Sequence, residues 1–118
     1  MLNPFPIVRI AGRIRRAGTR FRVLSVSAPA GATVTVRCRG RGCPFKASSR
    51  SATASRQVRI RKLERRLLRA GASIRIFVTK PGSIGKYTSI RIRGGKPPRR
   101  SDRCLMPDRN TKPVKCPS

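Results

Sequence analysis

Residues 32–38, ATVTVRC, alternate between apolar and polar side chains without interruption. Val34, Val36 and Cys38 fall on one parity, while threonine and arginine fill most of the other. Successive side chains of a β-strand point to opposite faces of its sheet. The stretch therefore predicts a strand with one buried face. This strand ends on its buried side at Cys38 and leads into the cysteine-flanked sequence RCRGRGCP at 37–44.

The same period of two recurs in short runs throughout residues 5–93, separated by Gly, Pro and Ser. Apolar side chains alternate mainly with arginine in residues 8–15, 74–78 and 90–93. In residues 21–26 the alternation slips by one position, which predicts a β-bulge or a strand buried on both faces. Six or seven short strands over this length predict an all-β fold, an immunoglobulin-like or fibronectin-like sandwich.

Residues 56–71, RQVRIRKLERRLLRAG, leave an alternative architecture open. The run at 57–61 favours a strand, but Ile60, Leu63 and Leu67 with a closing Gly71 also fit a short amphipathic helix. A helix here would suit a five-stranded OB-like barrel instead of a sandwich.

A chain of 118 residues holds one modest core. We expect the β domain to span residues 1–93. From GGKPP at residue 94 the alternation is lost, and residues 94–118 are predicted to form a Pro- and Arg-rich tail closed by a local disulfide.

The four cysteines accompany no histidine. An all-thiolate zinc site usually has short gaps in both halves, whereas eleven residues separate Cys104 from Cys116. We therefore favour two local disulfides, Cys38 with Cys43 and Cys104 with Cys116, although four cysteines allow three connectivities. Disulfides would imply an oxidising compartment.

The charge is extreme: 30 Lys and Arg against 3 acids give a net charge of +27, and 23 of the basic residues are arginine. High genomic GC content would also enrich arginine, but such a charge favours contact with polyanions. The partner is expected to be an anionic polymer, either a phosphate-rich or uronate-rich cell-wall glycan or a nucleic acid. The predicted contacts are Arg9, Arg13, Arg15, Arg37, Arg39, Arg41, Arg59, Arg75, Arg91 and Arg93.

Catalysis has few candidate groups in this sequence. Histidine is absent, and the acids are Glu64, Asp102 and Asp108. We therefore expect no enzyme activity, no cofactor and no metal site. Parity points Phe77 and Tyr87 outward, so they could form a small stacking platform for bases, although edge packing is the favoured interpretation.

No run of residues reaches the length of a membrane span, and the opening residues, MLNPFPIVRI, do not have the layout of a secretory signal. The chain is therefore expected to be soluble, with the possibility that it forms part of a longer exported protein.

Four stretches resemble an uncharacterised family of secreted or cell-surface β-sandwich domains of high-GC Gram-positive bacteria. They are PFPIVRIAGR, LSVSAPAGATVTVRCRGRGCP, LRAGASIRIFVTKPGSIGKYTSIRIRGGKPP and the closing pair Cys104 and Cys116. The resemblance spans Pro4 to Cys116, and its most specific element is the C-x-G-x-G-C-P loop. It implies an extracellular or cell-wall sandwich domain, with Cys38 and Cys43 closing the small loop, and brings no known activity.

Two functions follow from these observations. The first is a non-catalytic, exported, cationic binding or structural module that contacts an anionic surface polymer. The alternative is an intracellular nucleic-acid-binding protein with the basicity of a ribosomal protein, built as an OB barrel with zinc held by all four cysteines.

Overall fold

The computed structural model describes residues 6–51, 56–107 and 109–116. These residues form ten β-strands and one short 3₁₀-helix at Arg61–Leu63. The strands are β1 (Val8–Arg15), β2 (Gly18–Ala28), β3 (Thr33–Arg39), β4 (Ala47–Ser51), β5 (Arg56–Arg59), β6 (Leu67–Arg69), β7 (Ser73–Thr79), β8 (Gly85–Arg91), β9 (Arg99–Met106) and β10 (Arg109–Val114).

The strands form two antiparallel sheets. The smaller sheet has the order β1-β2-β5, with β6 also paired to β2, and the larger has the order β10-β9-β8-β7-β3-β4. The first, second and fifth strands share one sheet, as they do in immunoglobulin-like sandwiches, and the third lies beside the seventh in the other sheet. The prediction of an all-β sandwich is confirmed, with more strands than the expected six or seven.

The core lies between the two sheets. From the larger sheet, alternate residues of β3, β7 and β8 point inward, in the parity that ATVTVRC predicts. From the smaller sheet, Phe21, Leu24 and Val26 meet them with at most 1% of their surface exposed. Burial of these apolar side chains fixes the register, because a shift by one residue would turn each apolar set to the solvent.

The slip in alternation at residues 21–26 is a β-bulge. Ala11 pairs with Val23 and Gly12 pairs with Phe21, so Arg22 has no partner in β1. The extra residue turns both Phe21 and Leu24 toward the core. This outcome confirms the first of the two predicted interpretations.

Residues 56–71 do not form the amphipathic helix. They contain β5, the three-residue 3₁₀-helix and β6, and the two sheets do not close into a barrel. Leu63 and Leu68 are each fully buried, so the segment is anchored at two points. Between these points Arg65 has a φ of 59°, which a right-handed helix cannot contain.

The segment predicted as a tail belongs to the larger sheet. β9 pairs with β8 from Arg99 opposite Arg91 to Leu105 opposite Gly85, and β10 pairs with β9. Of the side chains described in β9, Cys104 and Leu105 are buried. The strand is formed by backbone pairing with little apolar burial, which explains why its sequence shows no alternation.

Candidate functional site

The outer face of the larger sheet carries six exposed arginines, and we call it the basic face. Residues opposite each other in a sheet lie on the same face, so the register places these arginines together. Their parity is opposite to that of the buried residues of β3, β7 and β8. The basic face consists of Arg37, Arg39, Arg75, Arg91, Arg99 and Arg103.

Two pairs of these arginines lie directly opposite each other. Arg37 pairs with Arg75 between β3 and β7, and Arg91 pairs with Arg99 between β8 and β9. Like charges at directly opposed positions destabilise a sheet. An anion bound between the paired guanidinium groups would remove this repulsion.

Phe77 and Tyr87 lie at the centre of the basic face. Their ring centroids are 5.0 Å apart in an edge-to-face arrangement. The Arg37 guanidinium lies over the Phe77 ring, 5.7 Å from its centroid. The rings point outward as parity predicts, but Arg37 covers Phe77, so the pair positions an arginine more readily than it stacks two bases.

Hydroxyl groups fill the positions between the arginines. The Thr35 and Ser49 hydroxyl oxygens are hydrogen-bonded at 3.1 Å. Hydroxyl and guanidinium groups are both donors to oxyanions. Among the described residues this parity contains no Asp or Glu, and its remaining hydroxyl residues on β7, β8 and β9 include Ser73, Ser89 and Ser101.

The disulfide loop borders one end of the basic face. Cys38 and Cys43 are bonded, and the Arg69 amide donates to the Arg41 carbonyl oxygen at 3.0 Å, which ties the loop to β6. Gly40 has a φ of +113°, and a Cβ there would lie 2.6 Å from the Ala72 Cα. The loop therefore packs closely on its neighbours.

Beside the loop lies an open groove with a volume of about 650 Å³. Arg37, Arg39 and Arg75 of the basic face line it together with Lys46. The groove therefore extends the cationic surface of the sheet to the turn that holds the first disulfide.

The other predicted arginines lie elsewhere. Arg9, Arg13 and Arg15 are exposed on β1 of the smaller sheet. Arg59 is 3.0 Å from a Glu64 carboxylate oxygen, and the Arg93 Nε donates to the Pro97 carbonyl oxygen at 2.9 Å. The structure thus divides the predicted set, with Arg37, Arg39, Arg75 and Arg91 on the basic face and Arg41 in the adjoining loop.

Glu64 serves the fold. The Leu24 amide donates to Glu64 Oε2 at 3.0 Å, where β2 passes from pairing with β5 to pairing with β6. Burial of Glu64 raises its pKa, but the hydrogen bonds from Leu24 and Arg59 and the charges of Arg59 and Arg61 outweigh this effect and lower it. The carboxylate is thus held ionised inside the structure.

Asp102 supports the edge of the larger sheet. It accepts hydrogen bonds from Thr88 and Arg100, each at 2.8 Å, and lies 3.4 Å from the Lys86 Nζ. Partial burial raises the pKa of Asp102, whereas the hydrogen bonds from Arg100 and Thr88 and the charges of Arg100 and Lys86 lower it to about 2. Asp108, the third acid, lies outside the described residues.

The prediction of two local disulfides is confirmed. Cys38 is bonded to Cys43 and Cys104 to Cys116, which leaves no thiolate for the alternative zinc site. Among the described residues, no helix is long and apolar enough to cross a membrane.

Sequence reasoning missed Arg99 and Arg103. Both lie in the segment predicted as a tail, and the register of β9 against β8 brings them to the basic face. The inward parity of Cys104 could have placed Arg103 outward, but only if β9 had been recognised as a strand.

Comparison of the chain with models of protein families, with curated proteins and with solved structures finds no match. The family resemblance noted in the sequence therefore stays a prediction.

Proposed function

We propose that this protein is a non-catalytic binding module that contacts an anionic surface polymer through its basic face. The observation that supports this proposal best is the grouping of six exposed arginines on one sheet face, with no Asp or Glu on that face among the described residues. A merely solvated surface would gain stability from interleaved acids, which this face does not have.

The spacing of the arginines suits a ligand with repeated charges. Neighbouring strands lie about 5 Å apart, and residues on the same face of one strand lie about 7 Å apart. Within the two opposed pairs, and between Arg37 and Arg39, the arginines are therefore attached closer together than the Debye length of about 8 Å at physiological salt. A polymer with many phosphates or carboxylates can neutralise several of them at once.

The two disulfides support an extracellular or cell-wall location, because such bonds persist in oxidising compartments. A polymer of the cell surface is therefore the partner that we propose, such as a phosphate-rich or uronate-rich glycan. The intracellular alternative rested on the basicity of the chain and was pictured as an OB barrel with zinc held by the cysteines. The two sheets do not close into a barrel, and the four cysteines form disulfides, so these two features do not support it.

The test measures binding to poly(glycerol phosphate), polygalacturonate and oligo(dT) over a range of salt concentrations. If all six arginines of the basic face contact a single-stranded phosphate polymer, the log-log salt slope should be near about −4. Replacement of Arg75, Arg91 and Arg103 by glutamine should weaken binding to the surface polymers by about 100-fold and bring the slope near about −2.

The matched control replaces Arg9, Arg16 and Arg66, which are exposed and lie away from the basic face. This control variant has the same net charge as the triple variant of the basic face. Its affinity for the surface polymers should fall only by the small amount that the loss of three positive charges causes. Equal losses in both variants, or a flat response to salt, would contradict the proposal. Tighter binding to oligo(dT) than to both surface polymers would instead favour nucleic acid.

A further inference from the structure

We propose a second anion site on the opposite side of the sandwich, in a groove of the smaller sheet, which binds a compact, multiply charged anion such as a short chain of linked phosphates. It is separate from the basic face and goes beyond the polymer-binding function proposed above. The groove has a volume of about 660 Å³. Its arginine lining consists of Arg13, Arg15, Arg20, Arg22 and Arg65.

Local backbone structure brings these arginines together. Arg13 lies directly opposite Arg20 in the β1–β2 pairing, and Arg22 is the unpaired residue of the bulge. A bulge bends its strand and redirects a side chain, and such features are frequent beside binding sites. Three guanidinium groups from two neighbouring strands thus line one short groove, although their charges repel one another.

Arg65 approaches the groove from a different segment. It is the one non-glycine residue with positive φ in the described part of the chain, at 59°. Its amide donates to the Phe21 carbonyl oxygen at 2.6 Å, which fixes this backbone beside the bulge. Glycine adopts a positive φ readily, whereas an arginine does so at a cost. An arginine at this position is therefore better explained by a role for its side chain, which lines the groove, than by the backbone conformation.

The nearest acid does not neutralise the groove. Glu64 precedes Arg65 in the chain, but its carboxylate is bonded to the Leu24 amide and to Arg59. Its side chain is only 7% exposed. No acid is among the described residues that line the groove, so none of these lining residues supplies a counter-charge to its cations.

The shape of the groove favours a compact ligand. Its other lining residues are Ala11, Gly12 and the buried Phe21. A Cβ at Gly12 would lie 2.8 Å from the Phe21 Cα and would also collide with the Arg20 carbonyl oxygen. The close approach of β1 and β2 at Gly12, which also lines the groove, thus forms part of its floor. Several charges in a small volume match linked phosphates, because each guanidinium can donate two hydrogen bonds to phosphate oxygens.

The test is calorimetric titration of the whole chain with tripolyphosphate, with inorganic phosphate as the weaker comparator. The variant Arg20→Gln/Arg22→Gln should bind tripolyphosphate about 100-fold more weakly, which assumes about tenfold for each lost charge-assisted contact. The control Arg9→Gln/Arg66→Gln removes the same number of charges from exposed positions outside both the groove and the basic face, and its affinity should stay within about threefold of the wild type.

A second variant, Arg65→Gly, separates binding from folding. Glycine suits the positive φ, so the variant should unfold at the same temperature as the wild type or higher, yet bind tripolyphosphate about tenfold more weakly. Wild-type affinity in Arg65→Gly, or equal losses in the two double variants, would overturn the site. Polymer binding through the basic face would be unaffected by that result, so the two proposals fail independently.

Discussion

The centre and the edge of the larger sheet are stabilised by different interactions. At the centre, β3 and β7 bury residues such as Val36 and Ile76, with at most 3% of their surface exposed. Toward the edge, in β9 beside the edge strand β10, the described side chains are mostly exposed, and the contacts of β9 include the Asp102 hydrogen bonds and the disulfide from Cys104 to Cys116. The central strands of this sheet are thus stabilised mainly by apolar burial, whereas β9 is stabilised by a disulfide and by charged groups.

The largest effect is expected at the centre. Ile76→Ala should lower the free energy of unfolding by about 4 kcal/mol, because it removes buried methylenes and leaves a cavity between the sheets. Urea denaturation followed by circular dichroism measures this loss. Ser101→Ala, at an exposed position of β9, is the control and should change stability by less than about 0.5 kcal/mol. Similar losses in the two variants would remove the contrast between centre and edge.

Removal of the edge crosslink should have the next largest effect. Replacement of both Cys104 and Cys116 by alanine should cost roughly 3 kcal/mol, because the unfolded chain is no longer restricted by that loop. The corresponding replacement of Cys38 and Cys43, which close a shorter loop, should cost roughly 2 kcal/mol.

Hydrogen exchange locates the effect of the edge crosslink. In the variant without Cys104 and Cys116, the amides of β9 should exchange faster while those of β7 remain protected. Unchanged protection of β9 would mean that backbone pairing alone holds the edge.

The same contrast explains how much of the fold was accessible from the sequence. The central strands were predicted because burial on one face imposes alternation, and the slip at Phe21 and Leu24 marked the bulge. β4 and β9 were missed because ASSRS and RRSDRC offer no repeating apolar face. At the edge of a sheet and in the strand next to it, backbone hydrogen bonds form without leaving such a pattern.

The candidate site was predictable only in part, for a related reason. Parity indicated that Arg37, Arg75 and Arg91 point outward, but parity does not say which strands are neighbours. The order β9-β8-β7-β3 brings these arginines together with Arg103, while Arg59 lies in the other sheet beside Glu64. The basic face depends on strand pairing between residues distant in sequence.

The charged contacts of β9 should give the smallest effect, which appears in acid. The pKa of Asp102 is about 2 in the folded protein against 3.8 as its ordinary value. The folded pKa is the lower one, so Asp102 contributes stability above about pH 4, and this contribution is lost as the pH falls toward about 2. Because the side chain is 38% exposed, solvent screening reduces the expected contribution to about 1 kcal/mol.

Urea denaturation between pH 2 and pH 5 measures this loss, and Asp102→Asn isolates it. Glu64 also has a lowered pKa, so both proteins should lose stability in acid, but the variant should lose about 1 kcal/mol less over this range. Parallel pH curves for the wild type and the variant would show that the Asp102 contacts add no stability to the edge. The crosslink and the backbone pairing of β9 with β8 would then be sufficient to hold Arg99 and Arg103 on the basic face.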